Sequence, residues 1–188
     1  MPDARPTLRG LYAITDAGLQ HPDRLIDAVT RAIDGGAQLI QYRDKSGDTR
    51  LRSRQASALA TLCNTHNILL IINDDLELAA ACGAHGVHLG RYDPDLQQAR
   101  QQLGHDAIIG ISCYNRLELA HKAAQQGADY IAFGRFFPSH TNPDAVTAEI
   151  DLIRQAKQQL TLPIAAIGGI TTANAAPLIE AGADMLAV

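Results

Sequence analysis

Along the chain, short apolar runs alternate with longer stretches whose apolar positions recur every three or four residues. The runs read as buried strands and the stretches as amphipathic helices packed over them. A repeat sets the rhythm. Gly-Ala followed by a polar residue occurs at Gly36 in GGAQLIQYR, Gly83 in CGAHGVHLG, Gly127 in QGADYIAFG and Gly182 in AGADMLAV. Each copy closes a helix-like segment and opens an apolar run, and glycine there supplies the left-handed residue that ends a helix. Successive copies lie roughly 50 residues apart, about twice the 20–30 residues of one strand–helix unit. The remaining strands fall between them, at 10–15 (GLYAIT), 67–73 (NILLIIN), 106–112 (DAIIGIS) and 162–169 (LPIAAIGG). Helices are predicted near 23–35, 49–65, 75–82, 94–103, 115–126, 149–160 and 171–181. Asp16 to Pro22 leads into the first, Pro94 sits early in the fourth, and Asn115 is placed to cap the fifth.

Strict alternation of strand and helix implies a parallel sheet. Eight such units predict an α/β fold of the (β/α)8 TIM-barrel type, with a doubly wound open sheet as the competing fold; the even spacing of the repeat favours the barrel. No linker or low-complexity segment interrupts the pattern, so residues 1–188 are expected to form a single domain. The sequence stops at Val188, inside or just after the eighth strand, so the expected barrel is C-terminally truncated there and its last helix is absent.

Composition narrows the function classes. A chain of 188 residues with 46% hydrophobic content has enough apolar material for one globular core. Sixteen basic against twenty acidic side chains give a net charge of −4 with no basic stripe, which argues against a nucleic-acid partner. No apolar segment is long enough to span a bilayer, and MPDARPTLRG lacks the apolar core of a signal peptide. Cys63, Cys82 and Cys113 show neither metal-type nor paired spacing, which suits a reducing cytoplasm and thiols acting as small buried hydrophobes.

In such barrels the active site lies at the C-terminal ends of the strands. Strand 2 ends in Gln41-Tyr42-Arg43-Asp44-Lys45, and the alternation puts Gln41, Arg43 and Lys45 on one side. Two cations and an amide at a barrel mouth suit a polyanion; the alternative is a polar strand end paired with Asp44 or Asp48. Strand 3 ends in Asn73-Asp74-Asp75, and the strand 4 loop reaches Asp93. Carboxylates from adjacent strand ends could share a hard cation such as Mg²⁺, although Asp75 and Asp93 could equally cap the following helices. His85 and His88 are three apart on a strand, hence on opposite faces, and read as structural rather than as a ligand pair. Ser112, ending strand 5, is a hydrogen-bond donor with no His-Asp partner pattern that would make it a nucleophile. Strand 7 ends in IGGITTAN, where a helix starting at Thr171 or Thr172 would offer backbone N–H groups to a phosphate; a tight β–α turn is the alternative.

Six segments in order, LYAITD, LIQYRDK, LIINDDLELAAACGAHGVHLGRYD, IIGISCYN, GADYIAFGRFFPSHT and PIAAIGGI, give the chain a resemblance to the thiamine phosphate synthase family over nearly its whole length. Members of that family are (β/α)8 barrels that join an aminopyrimidine pyrophosphate to a thiazole phosphate, releasing pyrophosphate. The resemblance implies that Gln41, Arg43 and Lys45, with the intervening Tyr42 and Asp44, grip the pyrimidine pyrophosphate beside Asn73. It implies that Ser112 contacts the pyrimidine, that Asp74 and Asp93 hold Mg²⁺, and that Ser139, Thr141 and Gly169 receive the thiazole phosphate, with His140 between the two hydroxyls. It also implies a dissociative reaction without a covalent nucleophile, its charge stabilised by Arg43 and Lys45. Asn142 stands where the family usually has lysine, and would contact the pyrophosphate without a charge. The implied partners are small phosphorylated substrates, with no nucleic acid and no membrane; a homo-oligomer is left open. Thiazole phosphate tautomerase and a non-catalytic thiamine-precursor-binding barrel are the alternative functions, and the cluster of Arg43, Lys45, Asp74 and Asp93 favours the synthase.

Overall fold

In the computed structural model, which describes residues 6–19, 21–139 and 146–188, eight parallel strands close into a barrel in sequence order. The strands are β1 (Gly10–Ile14), β2 (Ala37–Tyr42), β3 (Leu69–Asn73), β4 (Gly86–Leu89), β5 (Ile108–Tyr114), β6 (Tyr130–Gly134), β7 (Ile164–Ile167) and β8 (Met185–Ala187). Among the described residues the helices between them are α1 (Leu25–Asp34), preceded by a 3-10 turn at Pro22–Arg24, α2 (Thr49–His66), α3 (Leu76–Cys82), α4 (Leu96–Leu103), α5 (Leu117–Gln126), α6 (Asp151–Gln159) and α7 (Ala176–Glu180). The open doubly wound sheet is excluded by closure: Gly10, Leu11 and Tyr12 of β1 pair with Met185, Leu186 and Ala187 of β8. No described helix is long and apolar enough to cross a membrane.

Alternation along each strand divides the apolar residues between two cores. Ile40, Leu70, Ile72, Val87, Ile109, Ile131, Phe133, Ile164 and Ala166 face outward, under the helices. Tyr12, Leu39, Ile71, Ile108, Tyr130, Ala132, Ala165 and Met185 fill the barrel interior. This parity fixes the mouth: one more inward step beyond Leu39 and Ile71 gives Gln41 and Asn73. Gly110 is inward and bare, because a Cβ there would overlap the Tyr130 ring.

Several local expectations are corrected. Pro94 lies outside α4, whose start is a capping box between Asp95 and Gln98. Asn115 does not cap α5; its amide donates to Thr147 O at 3.1 Å. The helix expected from Thr171 begins only at Ala176, because Asn174 folds the segment into a turn. Its Oδ1 accepts the Thr171 N–H at 2.8 Å and its Nδ2 donates to Gly169 O at 3.0 Å. That turn uses the N–H that the sequence pattern offered to a phosphate.

The polar residue of the Gly-Ala repeat has a structural task. At β5–β6 the Asp129 N–H donates to Ile109 O (2.9 Å), and the Ile109 N–H donates back to the Asp129 carboxylate (2.9 Å). Asp184 forms the same ring with Ile164 at β7–β8 (2.9 and 2.7 Å), and His85 forms it with Leu70 at β3–β4 (2.9 and 3.1 Å). Each ring satisfies backbone groups of the first or second residue of a strand. Arg100 and Lys157 complete two of these staples through ion pairs of 2.7 Å with Asp129 and Asp184.

Candidate active site

Inward parity at the end of β2 carries Gln41 into the barrel, where its Nε2 donates to the Tyr12 hydroxyl at 2.7 Å. The Arg43 backbone is pinned by Thr15, whose hydroxyl accepts the Arg43 N–H at 2.9 Å and lies 3.2 Å from the Arg43 carbonyl. Lys45 forms an ion pair with Asp74. Tyr42 turns the other way, onto α2, with its hydroxyl 2.8 Å from Gln55 Oε1 and 3.3 Å from Asp44. Asp44 also accepts the Ser46 N–H at 2.7 Å. Burial works against the Asp44 charge, but the bonds from Ser46 and Tyr42 and the nearby Arg52 hold its carboxyl below the usual range. Asp44 thus shapes the loop that presents Lys45.

The three aspartates after β3 and β4 separate by role. Asp75 caps α3, accepting the Leu78 N–H at 2.9 Å, and pairs with Arg52 at 2.7 Å. Asp74 adopts the left-handed conformation (φ 64°), which Asp tolerates better than most residues. Its N–H donates to His88 O at 2.9 Å, and its carboxylate receives Asn73 Nδ2 at 2.7 Å. Asp93 caps no helix; its carboxylate accepts the Gly90 N–H at 2.6 Å. Burial and the neighbouring Asp74 push the Asp93 carboxyl up. Burial also opposes charge on Asp74, but hydrogen bonds with Asp93 and Lys45 and the Lys45 charge outweigh it and hold its carboxyl low. These groups line an open cleft of about 530 Å³ that also includes Arg52. A cavity of about 950 Å³ lies at the opposite end of the barrel, against the strand starts at Leu11 and Ile108, away from this chemistry.

No cluster of three His, Cys, Asp or Glu ligands occurs among the described residues. Mg²⁺ keeps several waters and is commonly held by one or two carboxylates plus substrate phosphate. The pressed pair Asp74–Asp93, with one carboxyl pushed up by the other, fits such a cation.

Inside the mouth lies a network that the spacing of the two histidines did not reveal. His85 staples Leu70, as a structural histidine. His88 faces the interior, with Nδ1 2.9 Å from the Tyr130 hydroxyl and Nε2 2.8 Å from Ser112 Oγ. The Tyr130 and Tyr12 hydroxyls are 2.8 Å apart. Burial pushes the His88 imidazole down to about 4, so the ring is neutral at physiological pH. The signal was strand parity: Gly86 and His88 share a face, and so do Ser112 and Gly110. Tyr12 and Tyr130 lie in the apolar runs GLYAIT and YIAF, and only the closed barrel brings their hydroxyls together.

The loop after β6 folds onto the end of β7. Phe136 N donates to Ile167 O (3.1 Å) and Phe137 N to Gly168 O (3.0 Å). Gly169 (φ 61°) lies so close to the Phe137 and Pro138 carbonyls that a Cβ there would overlap them. This brings the segment ending at Ser139 beside Gly169. His140, Thr141 and Asn142 lie outside the described residues.

The family model described as thiamine monophosphate synthase matches residues 11–188. The chain is 53% identical to the thiamine-phosphate synthase of Nitrosococcus oceani, across 97% of this chain and 84% of that one. It is 52% identical to the thiamine-phosphate synthase of Thiobacillus denitrificans, across 95% and 84%. Among solved structures, the thiamine phosphate pyrophosphorylase of Pyrococcus furiosus superposes with a TM-score of 0.86 at 34% identity, covering 96% of this chain and 85% of that one. A closed eight-stranded barrel with a charged cleft at its strand ends, matched by this family along almost all of its length, identifies the chain as a member of the thiamine monophosphate synthase family, a transferase of thiamine biosynthesis.

Proposed function

We propose that the strand-end cleft condenses 4-amino-2-methyl-5-hydroxymethylpyrimidine pyrophosphate with thiazole phosphate in a Mg²⁺-dependent reaction, giving thiamine phosphate and pyrophosphate. The observation that carries this reading is the convergence of Lys45, Asn73, Asp74 and Asp93 on one cleft. Arg43 and Lys45 bind the pyrophosphate, and Asn73 and Asn142 add uncharged donors. Asp74 and Asp93 would hold Mg²⁺, which would supply positive charge to offset that of the pyrophosphate. The C–O bond between the pyrimidine methylene and the pyrophosphate breaks first, and its electron pair leaves with pyrophosphate. The thiazole nitrogen then donates its lone pair to the methylene carbon. That nitrogen carries no proton, so the step needs no general base, and the residues act by positioning and by stabilising charge. The thiazole phosphate is held by Ser139, Thr141 and the Gly169 backbone, with His140 between the two hydroxyls in sequence. Free Cys63, Cys82 and Cys113 favour a cytoplasmic setting. Residues 1–188 act in this reading as one catalytic domain on small phosphorylated substrates.

The test is direct. The protein mixed with both substrates and Mg²⁺ is expected to form thiamine phosphate, and chelation is expected to stop it. Asp74→Ala is expected to lower kcat by about 10²–10³-fold. No product from the parent chain, or an unchanged rate in Asp74→Ala, would sink the reading.

A further inference from the structure

Five side chains from five strands form one continuous hydrogen-bonded chain across the barrel mouth. Gln41 Nε2 meets Tyr12 (2.7 Å), Tyr12 meets Tyr130 (2.8 Å), Tyr130 meets His88 Nδ1 (2.9 Å), and His88 Nε2 meets Ser112 (2.8 Å). Each phenol has one proton to give, and a neutral imidazole has one N–H and one acceptor nitrogen. With Gln41 Nε2 donating at one end, the arrangement that leaves no buried phenol proton unspent has Tyr12 donating to Tyr130 and Tyr130 donating to His88 Nδ1. The His88 proton is then on Nε2 and goes to Ser112. Ser112, already accepting, has its own hydroxyl proton free to donate. Gln41 Oε1 is not spent within this chain and remains an acceptor. The mouth therefore presents an acceptor from β2 and a donor from β5, and the three residues between them hold that polarity.

We propose that Tyr12, Tyr130 and His88 are positioning residues that fix the direction of this chain, and that the resulting polarity selects an aminopyrimidine over an oxopyrimidine. This rests on the reading of Gln41 and Ser112 as the pyrimidine subsite. An aminopyrimidine offers an amine N–H to Gln41 Oε1 and a ring nitrogen lone pair to the Ser112 hydroxyl. The 4-oxo analogue replaces the amine donor with a carbonyl acceptor, which faces Gln41 Oε1 with no proton between them. A site built to pair a donor rejects the analogue that lacks it, because its buried polar groups are left unpaired.

The test compares KM for the aminopyrimidine pyrophosphate with the inhibition constant of its 4-oxo analogue. The parent is expected to prefer the amino compound by roughly 100-fold or more. Tyr130→Phe removes the middle hydroxyl without touching substrate. It is expected to cut that preference by roughly tenfold while KM for thiazole phosphate stays within about twofold. Tyr12→Phe gives the same readout from a second position should Tyr130→Phe fold poorly. A purely structural role would lower the melting temperature without moving the selectivity. Unchanged selectivity in the folded variants overturns the proposal, as does a parent enzyme that prefers the 4-oxo compound. Gln41→Ala and Ser112→Ala separate the two levels. If they leave the pyrimidine KM unchanged, the subsite reading fails and the proposal with it. If they raise it while the tyrosine variants keep full selectivity, the positioning role alone fails.

Discussion

Three aspartates within twenty residues look interchangeable in sequence, and each has different work. Asp75 spends both carboxylate oxygens, one on the Leu78 N–H and one on Arg52. Asp75→Ala is therefore expected to destabilise the fold by about 1–2 kcal/mol in urea titrations. Asp74 and Asp93 instead face each other across the cleft. The sequence left capping and cation binding open for Asp75 and Asp93, because both uses ask for an Asp after a strand. Asp95 decides the second case by taking the cap of α4 itself. Asn142 makes its own prediction, since under the proposed function a charge there meets the leaving pyrophosphate. Asn142→Lys is expected to raise kcat/KM for the pyrimidine substrate by up to about tenfold. Unchanged turnover and unchanged pyrophosphate affinity would show that the position does not matter.

At the scale of elements, the Gly-Ala repeat was legible as punctuation, while the bonding of its third residue was not. Asp129, Asp184 and His85 each close a ring with the first or second residue of a neighbouring strand, a relation that exists only after the strands pair. Asp129 is the more buried of the two acids and also holds Arg100. Asp129→Ala is accordingly expected to cost about 2–3 kcal/mol, and Asp184→Ala, half-exposed beside Lys157, about 1–2. Equal losses in thermal unfolding would mean that burial does not grade the staples. Helix ends were the least legible part, because Asn174 draws the chain after β7 into a turn that no apolar period records.

For the whole molecule, closure decided what periodicity could not. Strand count and spacing left barrel and open sheet both standing, and the β1–β8 pairing settles it. Closure also seals His88 in the interior, which links the fold to pH. The unfolded chain takes up that proton near the ordinary 6.5, the folded chain only near about 4, so between these values the unfolded state holds more protons. The stability gained from a neutral ring is complete above about pH 6.5 and is lost as pH falls toward 4, on the order of 3 kcal/mol in all. Urea midpoints of the parent should fall more steeply over this range than those of His88→Asn; parallel curves would remove His88 as the cause. The staples lead further. Each one joins strands within a pair, β3 to β4, β5 to β6 and β7 to β8, and none crosses from β4 to β5 or from β6 to β7. Genetic crossovers placed before α4 and before α6 would leave every staple whole, with Arg100 and Lys157 on the same side as their aspartates, so two-strand blocks are the units in which relatives of this barrel could be recombined and still fold.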